Sequence, residues 1–191
     1  MELFFSDLKL KLDSYKDSEK ILSSSFTNKN NCKNYVLPKI FKKAAVLCLI
    51  ETDKKRLNIL LTLRSRQLTN HPGQISFPGG KVNSKESFYD CALRETEEEI
   101  GLKNKNINIL GELDMYLSGS NFLIKPVIGF INKNYKISLN KAEVEKVIYF
   151  PIDHLFIKQN VKSKFYIDSN KNKKMFYYDI NWKNHRIWGT T

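Results

Sequence analysis

Between Gly80 and Leu102 the chain reads GKVNSKESFYDCALRETEEEIGL, and no other stretch restricts what it can fold into as tightly. Ser87 followed three residues later by Asp90 has the form of a capping box, and Gly101 supplies the left-handed residue that ends many helices. The two signals bracket a helix of about fourteen residues. At 100° per residue, Phe88, Cys91, Ala92, Glu95, Glu99 and Leu102 share one stripe, with Glu98 at its edge. The stripe that must face the core therefore carries carboxylates.

That placement is costly. Glu95, Glu98 and Glu99 stand at i, i+3 and i+4 near the helix C-terminus, where the macrodipole favours cations by about 0.3–1 kcal/mol each. A like-charge pair some 5–6 Å apart adds about 3 kcal/mol of repulsion at an effective dielectric near 20. A divalent cation removes both penalties, and hard carboxylate oxygens suit Mg²⁺ or Mn²⁺. The competing description is a solvated acidic face, which runs such as Glu97-Glu98-Glu99 commonly are.

The spacing G-x5-E-x7-R-E-x2-E-E-x-G, filled by Gly80, Glu86, Arg94, Glu95, Glu98, Glu99 and Gly101, resembles the signature of the Nudix hydrolases. Seven fixed positions at roughly 6% each give about one chance match in 10⁸ to 10⁹ per starting position. The resemblance implies an α+β fold, an α/β/α sandwich around a mixed, largely antiparallel β-sheet, and a metal-dependent pyrophosphatase. Position by position it implies Glu95 and Glu99 as principal metal ligands, Glu98 as a further ligand or base, and Gly80 as a carbonyl ligand. Arg94 is expected on the side of the helix opposite Glu98, paired with Glu86 or another acid so that it holds the loop in shape. Thr96 departs from the aliphatic residue usual at its position.

Upstream, residues 44–50 (AAVLCLI) and 57–63 (LNILLTL) read as two strands of a hairpin around a charged turn. A loop over 64–80 follows, with a short strand at 74–77, and Gly79-Gly80 lets backbone approach a ligand closely. LLTLRS at 60–65, Gly73, and FPGG at 77–80 resemble the coenzyme A diphosphatase branch of the same family, with Thr69 where that branch usually has Arg. This implies cleavage of coenzyme A or its thioesters to 3′,5′-ADP and a phosphopantetheine product, on a substrate surface of Arg64, Ser65, Arg66, Gly79 and Lys81. Arg64 is the strongest phosphate candidate because a guanidinium pairs bidentately with phosphate oxygens; a surface salt bridge is the alternative. His71 reads as a structural hydrogen-bonder.

Downstream, residues 107–116 and 122–131 read as strands joined by the LSGSN turn, and 132–140 as a polar connection. Glu143-Val144 resembles the branch's Glu-Val pair before a strand ending in Pro151, which makes Glu143 a candidate base or ligand from outside the box. Glu145 is its rival. A short helix over 151–156, capped by Asp153, and aromatic strands at 164–167 and 175–180 complete the domain, and HRIWGTT resembles the branch's Ile-Trp-Gly-x-Thr segment. The domain is expected over 44–191. Residues 1–43, with Leu3, Phe4, Leu8 and Leu12 in amphipathic spacing, read as an N-terminal helix and linker.

A formal charge of +12 and a pI near 9.5 point to an anionic partner, nucleic acid or a phosphorylated small molecule. Only five of the 32 basic residues are arginines and the lysines scatter among asparagines, which favours compositional bias over a nucleic-acid face. A nucleotide substrate, coenzyme A foremost, is thus the expected partner and Mg²⁺ or Mn²⁺ the cofactor. Three cysteines without CxxC pairing suit a reducing compartment; with no targeting pattern and no membrane-length apolar run, a cytoplasmic protein is expected. The oligomeric state, a homodimer included, stays open. So do two other functions: hydrolysis of ADP-ribose, NADH or a damaged nucleotide, and a non-catalytic nucleotide- or RNA-binding module. The intact trio Glu95, Glu98 and Glu99 weighs against the last.

Overall fold

The computed structural model of the protein describes residues 6, 9–12, 21–23, 41–53, 56–131, 135–168 and 173–191. Before the acidic helix (Phe88–Ile100) come β1 (Ile21–Ser23), β2 (Lys42–Asp53), β3 (Arg56–Arg64), β4 (Ile75–Ser76) and β5 (Gly79–Lys81). After it come β6 (Ile107–Glu112), β7 (Met115–Leu117), β8 (Phe122–Ile131), β9 (Val144–Pro151), β10 (Val161–Asp168), β11 (Lys173–Trp182) and β12 (His185–Gly189).

The apolar runs that put hydrophobic side chains on both faces, β2 and β8, lie side by side and parallel from Lys42↔Phe122 to Glu51↔Ile131. Parallel neighbours need a crossover, and here the hairpin, the loop and the acidic helix supply it. β3 returns antiparallel on the other edge of β2, from Leu49↔Leu60 to Asp53↔Arg56, as the hairpin reading expects. β9 pairs with β3, β6 and β7 pair with β8, and β5 pairs with β2 at Ala44–Val46, along the same edge as β3. The described residues thus form a mixed, mostly antiparallel sheet of nine strands and a separate antiparallel meander, β10-β11-β12.

Strand alternation sorts the core. Ala45, Leu47, Leu49 and Val127 point to one face, where they bury Cys91, Ala92, Ile100 and Leu102 of the acidic helix and its exit. On the other face Leu12, from helical residues 9–12, packs with Leu110 and Ile128, while Leu61, Ile148 and Phe150 meet Ile180 and Ile187 of the meander. The expected α+β layering around a mixed sheet is what the chain adopts.

The helix ends as its sequence dictates. Ser87 Oγ accepts from the Asp90 N–H at 3.1 Å, and Gly101, at φ 69°, donates its N–H to Glu97 O at 2.9 Å. Thr96 is fully buried with its hydroxyl donated to Ala92 O at 2.7 Å, so a polar side chain sits in an aliphatic position without an unmet hydrogen bond.

Three elements differ from expectation. Ile21–Ser23, inside the stretch taken as linker, pairs in parallel with β7, a contact that three residues without alternation do not announce. His185–Gly189 is the third strand of the meander. The turn after Pro151 is a 3₁₀ helix over Ile152–Phe156 with no side-chain cap, so Asp153 does not cap it. Leu3, Phe4, Leu8 and Cys32 lie outside the described residues.

Ile100 is completely buried between helix and sheet. Ile100→Ala is expected to lower unfolding stability by about 2–5 kcal/mol, read as a fall in urea midpoint at unchanged slope. A loss below about 1 kcal/mol would show that this contact does not seat the helix.

Candidate active site

The acidic helix is pinned at the end that carries its carboxylates. Last-turn carbonyls have no partners within a helix. Here Ser138 donates its N–H to Ile100 O at 2.8 Å and Asn140 donates its N–H to Glu99 O at 3.0 Å. The Asn140 side chain then accepts from the Ala142 N–H and donates Nδ2 to Glu143 Oε1 at 3.0 Å. From the other side Ser65 donates its N–H to Glu143 O at 2.7 Å. Glu143 is so fixed between the helix end and the end of β3 that its charge helps to raise both Glu95 and Glu99. Sequence reasoning passes over Asn140, although Asn ahead of a turn is a recognised signal.

Glu99 is only 2% exposed. Burial pushes its carboxyl up to about 8, against the pull of Arg64. Arg64 Nη1 stands 3.9 Å from Glu99 Oε1, beyond hydrogen-bonding range, and both Arg64 Nε and Glu99 Oε2 are buried without a hydrogen-bond partner. The β3–β9 register shifts between Leu63 and Arg64, so Leu63 faces Lys146 whereas Arg64 faces Val144. The bulge ends the regular ladder beside the acids.

Gly80 makes room for Glu95: a Cβ there would lie 2.3 Å from the Glu95 carboxyl carbon. Glu95 is itself raised by burial, with Arg94 acting in the opposite sense. Arg94 donates Nε to Glu86 at 2.7 Å, Nη1 to Glu95 at 2.8 Å and to Glu98 at 2.9 Å, and Nη2 to Lys81 O at 3.1 Å. The expected pairing with Glu86 is present, and it holds Glu86 below the usual carboxylate range. The expectation that Arg94 lies opposite Glu98 is corrected, because residues four apart are little more than one turn apart and share a face. Glu98 is 53% exposed at its side chain and bound to that guanidinium.

Arg64, Gly79, Gly80 and Lys81 line a cavity of about 540 Å³. Ser65 and Arg66 do not. The Ser65 hydroxyl is buried and accepts from the Gln67 N–H, while Arg66 is exposed and reaches toward Glu145 at 3.8 Å. Glu145 lies at the surface beside Arg66, whereas Glu143 joins the acids. His71 lines the cavity with Nδ1 3.0 Å from Gln74 Oε1, the structural role read from the sequence. Cys48 and Cys91 are pushed up to about 12 and 11 by burial, so both stay protonated packing groups.

The donor set suits a hard divalent cation. It comprises the Glu95 and Glu99 carboxylates, one with an orphaned buried oxygen, and the Gly80 backbone lying beneath Glu95. Among the described residues no three His, Cys, Asp or Glu side chains already converge on one point, since Arg94 draws Glu95 and Glu98 to itself.

A family model of the NUDIX domain matches residues 41–169, which contain every one of these groups. The chain belongs to the Nudix hydrolase family. It is 34% identical over 152 residues to the Nudix hydrolase NudL of Photorhabdus laumondii, named as uncharacterized, covering 78% of this chain and 79% of that one. It is 33% identical to the peroxisomal coenzyme A diphosphatase NUDT7 of Mus musculus, covering 59% of this chain and 48% of that protein. For the peroxisomal coenzyme A diphosphatase ndx-8 of Caenorhabditis elegans the values are 32%, 71% and 59%, so the chain spans about half the length of these two relatives. The structure of a C. elegans Ap4A hydrolase superposes with a TM-score of 0.51 at 20% identity, over 60% of this chain and 83% of that one, which shows the shared Nudix fold.

Because Glu99 of this Nudix box is raised from 4.5 to about 8, the folded chain holds a proton that the unfolded chain releases between those values. The metal-free protein should therefore lose stability as pH rises through that window, by at most about 1.4 kcal/mol per unit from this group. Urea melts in chelator should show the slope, and Glu99→Gln should flatten it. An identical slope in the variant would mean that Glu99 does not titrate there.

Proposed function

We propose that this Nudix hydrolase cleaves the diphosphate of coenzyme A or its thioesters, releasing 3′,5′-ADP and (acyl-)4′-phosphopantetheine. The observation that carries this reading is that Arg64, from the LLTLRS segment, ends 3.9 Å from Glu99 of the box. The residues that resemble the coenzyme A branch and those that resemble the family signature thus meet at one rim. The names of the mouse and nematode relatives agree with it.

In this reading Glu95 and Glu99 hold a divalent cation, Mg²⁺ or Mn²⁺, with the Gly80 carbonyl and, once freed from Arg94, Glu98. When bound, the cation supplies charge neutralisation at the diphosphate and acidifies water. Arg64 binds the phosphate oxygens, and Lys81 lines the same cavity. Glu143 accepts the proton of the attacking water as its oxygen bonds to phosphorus and the bridging phosphorus–oxygen bond breaks. The proton returns to the leaving phosphate. Arg94 keeps Glu86 and the loop in place throughout. A cytoplasmic location belongs to this proposal, on the reducing compartment that three cysteines without CxxC pairing suit.

The test is a substrate panel with Mg²⁺ or Mn²⁺ read by mass spectrometry, comparing coenzyme A with ADP-ribose, NADH and oxidised nucleotides. Preferential cleavage of coenzyme A is expected, and a faster alternative substrate would replace it. For the base, Glu143→Gln should lower kcat by about 10²–10⁴-fold while Glu145→Gln leaves it near wild type. The reverse order would move the role to Glu145, and equal insensitivity would move it to Glu98.

A further inference from the structure

Arg64 and Gly80, which adjoin Glu99 and Glu95, line the 540 Å³ cavity, and much of the rest of its wall is aromatic. Tyr166 of β10, Phe176 and Tyr177 of β11, Trp188 of β12 and Tyr116 of β7 all line it. Pairing within the meander sets Tyr166 6.3 Å from Tyr177 and Tyr177 5.8 Å from Trp188, ring centre to ring centre, both tilted well away from parallel. Tyr166 and Trp188 nevertheless remain 48% and 36% exposed, so much of their ring surface is left at the mouth. Core aromatics at this density ordinarily bury that surface.

Trp188 is also braced from outside the cavity. The Arg186 guanidinium lies over its ring at 5.0 Å and is itself bonded at 2.8 Å to Asp179, a buried carboxylate held down at about 2 by Arg186 and Lys164. An ion pair thus fixes the ring that faces the opening. Across the cavity, Gly119 leaves space for the Tyr166 hydroxyl, since a Cβ there would lie 3.2 Å away. Ser118 and Ser120, on either side of Gly119, also line the cavity and add hydroxyl groups there.

We propose that this aromatic end stacks the nucleobase of the substrate, with the phosphates running toward Arg64 and Gly80, and that Tyr166 and Trp188 set affinity for the nucleoside half. The assignment rests on the reading of the protein as a nucleotide diphosphate hydrolase. A planar base offers two π faces to fixed rings, whereas a pantetheine arm is flexible and has none. Stacking of a base on a protein ring is worth about 5- to 150-fold in affinity by alanine substitution.

Calorimetric titration of the full chain with AMP, and with ribose 5-phosphate as the same phosphate without a base, tests this without turnover. Tyr166→Ala and Trp188→Ala should each weaken AMP binding about 5- to 150-fold and leave ribose 5-phosphate binding unchanged. Trp188→Phe should keep most of the affinity. If Trp188→Ala melts before it can be titrated, Tyr166→Ala, on an exposed position, decides. Unchanged AMP affinity in a folded alanine variant, or wild-type binding of AMP no tighter than of ribose 5-phosphate, overturns the assignment even if coenzyme A is hydrolysed. Ring-dependent AMP binding without coenzyme A hydrolysis would uphold it and sink the coenzyme A reading instead.

Discussion

One buried carboxylate organises this molecule. Glu99 lies between helix and sheet with an oxygen that meets no hydrogen-bond donor. Burying such a group in ionised form costs several kcal/mol, which is why it leans toward protonation. The surroundings concentrate charge near it rather than dilute it. Glu95 sits above a glycine that admits no Cβ, Glu143 is tied in by Asn140, and Arg64 approaches without closing a hydrogen bond. A site held so far from its own electrostatic optimum is suited to charge that arrives with a ligand.

The sheet provides the place where that charge can be met. One edge of β2 is shared between two partners, β3 from Leu49 to Asp53 and β5 from Ala44 to Val46. β3 continues beyond β2 to pair with β4, so its far end and β5 border the same opening. Arg64 ends the first and Gly80 lies within the second, and each lines the cavity while reaching an acid of the helix. Helix and aromatic meander pack on opposite sides of the sheet.

Arg94 manages the remaining charge. One guanidinium serves Glu86, Glu95 and Glu98 together with the Lys81 carbonyl, so acids that repel one another are held apart by a shared donor. Outside the site the same economy recurs at Asp179, buried between Arg186 and Lys164, and at Glu112, paired with the buried Lys125. Buried Glu51 is satisfied without a cation, accepting from the Tyr135 hydroxyl and Asn58 Nδ2. The Arg64–Glu99 contact differs from all of these, because it leaves Arg64 Nε and Glu99 Oε2 buried without a hydrogen bond.

Local spacing was enough to read much of this. The helix, both of its caps, the β2–β3 hairpin, and the carboxylates on the inward stripe follow from helical and strand periods, which act over a few residues. The side of Arg94 was legible too, since its i+4 relation to Glu98 is a local fact of helical spacing. What needed tertiary structure was register. Whether Glu143 or Glu145 joins the acids depends on a bulge against β3, and the fate of Ser65 and Arg66 on where that ladder ends. The parallel contact of Ile21–Ser23 and the aromatic wall built from three strands are pairings between distant segments, and no period within a segment encodes them. The chain by itself put Glu95 and Glu99 on the inward stripe of a helix; only the folded sheet decided which arginine, turn and cavity would lie near them.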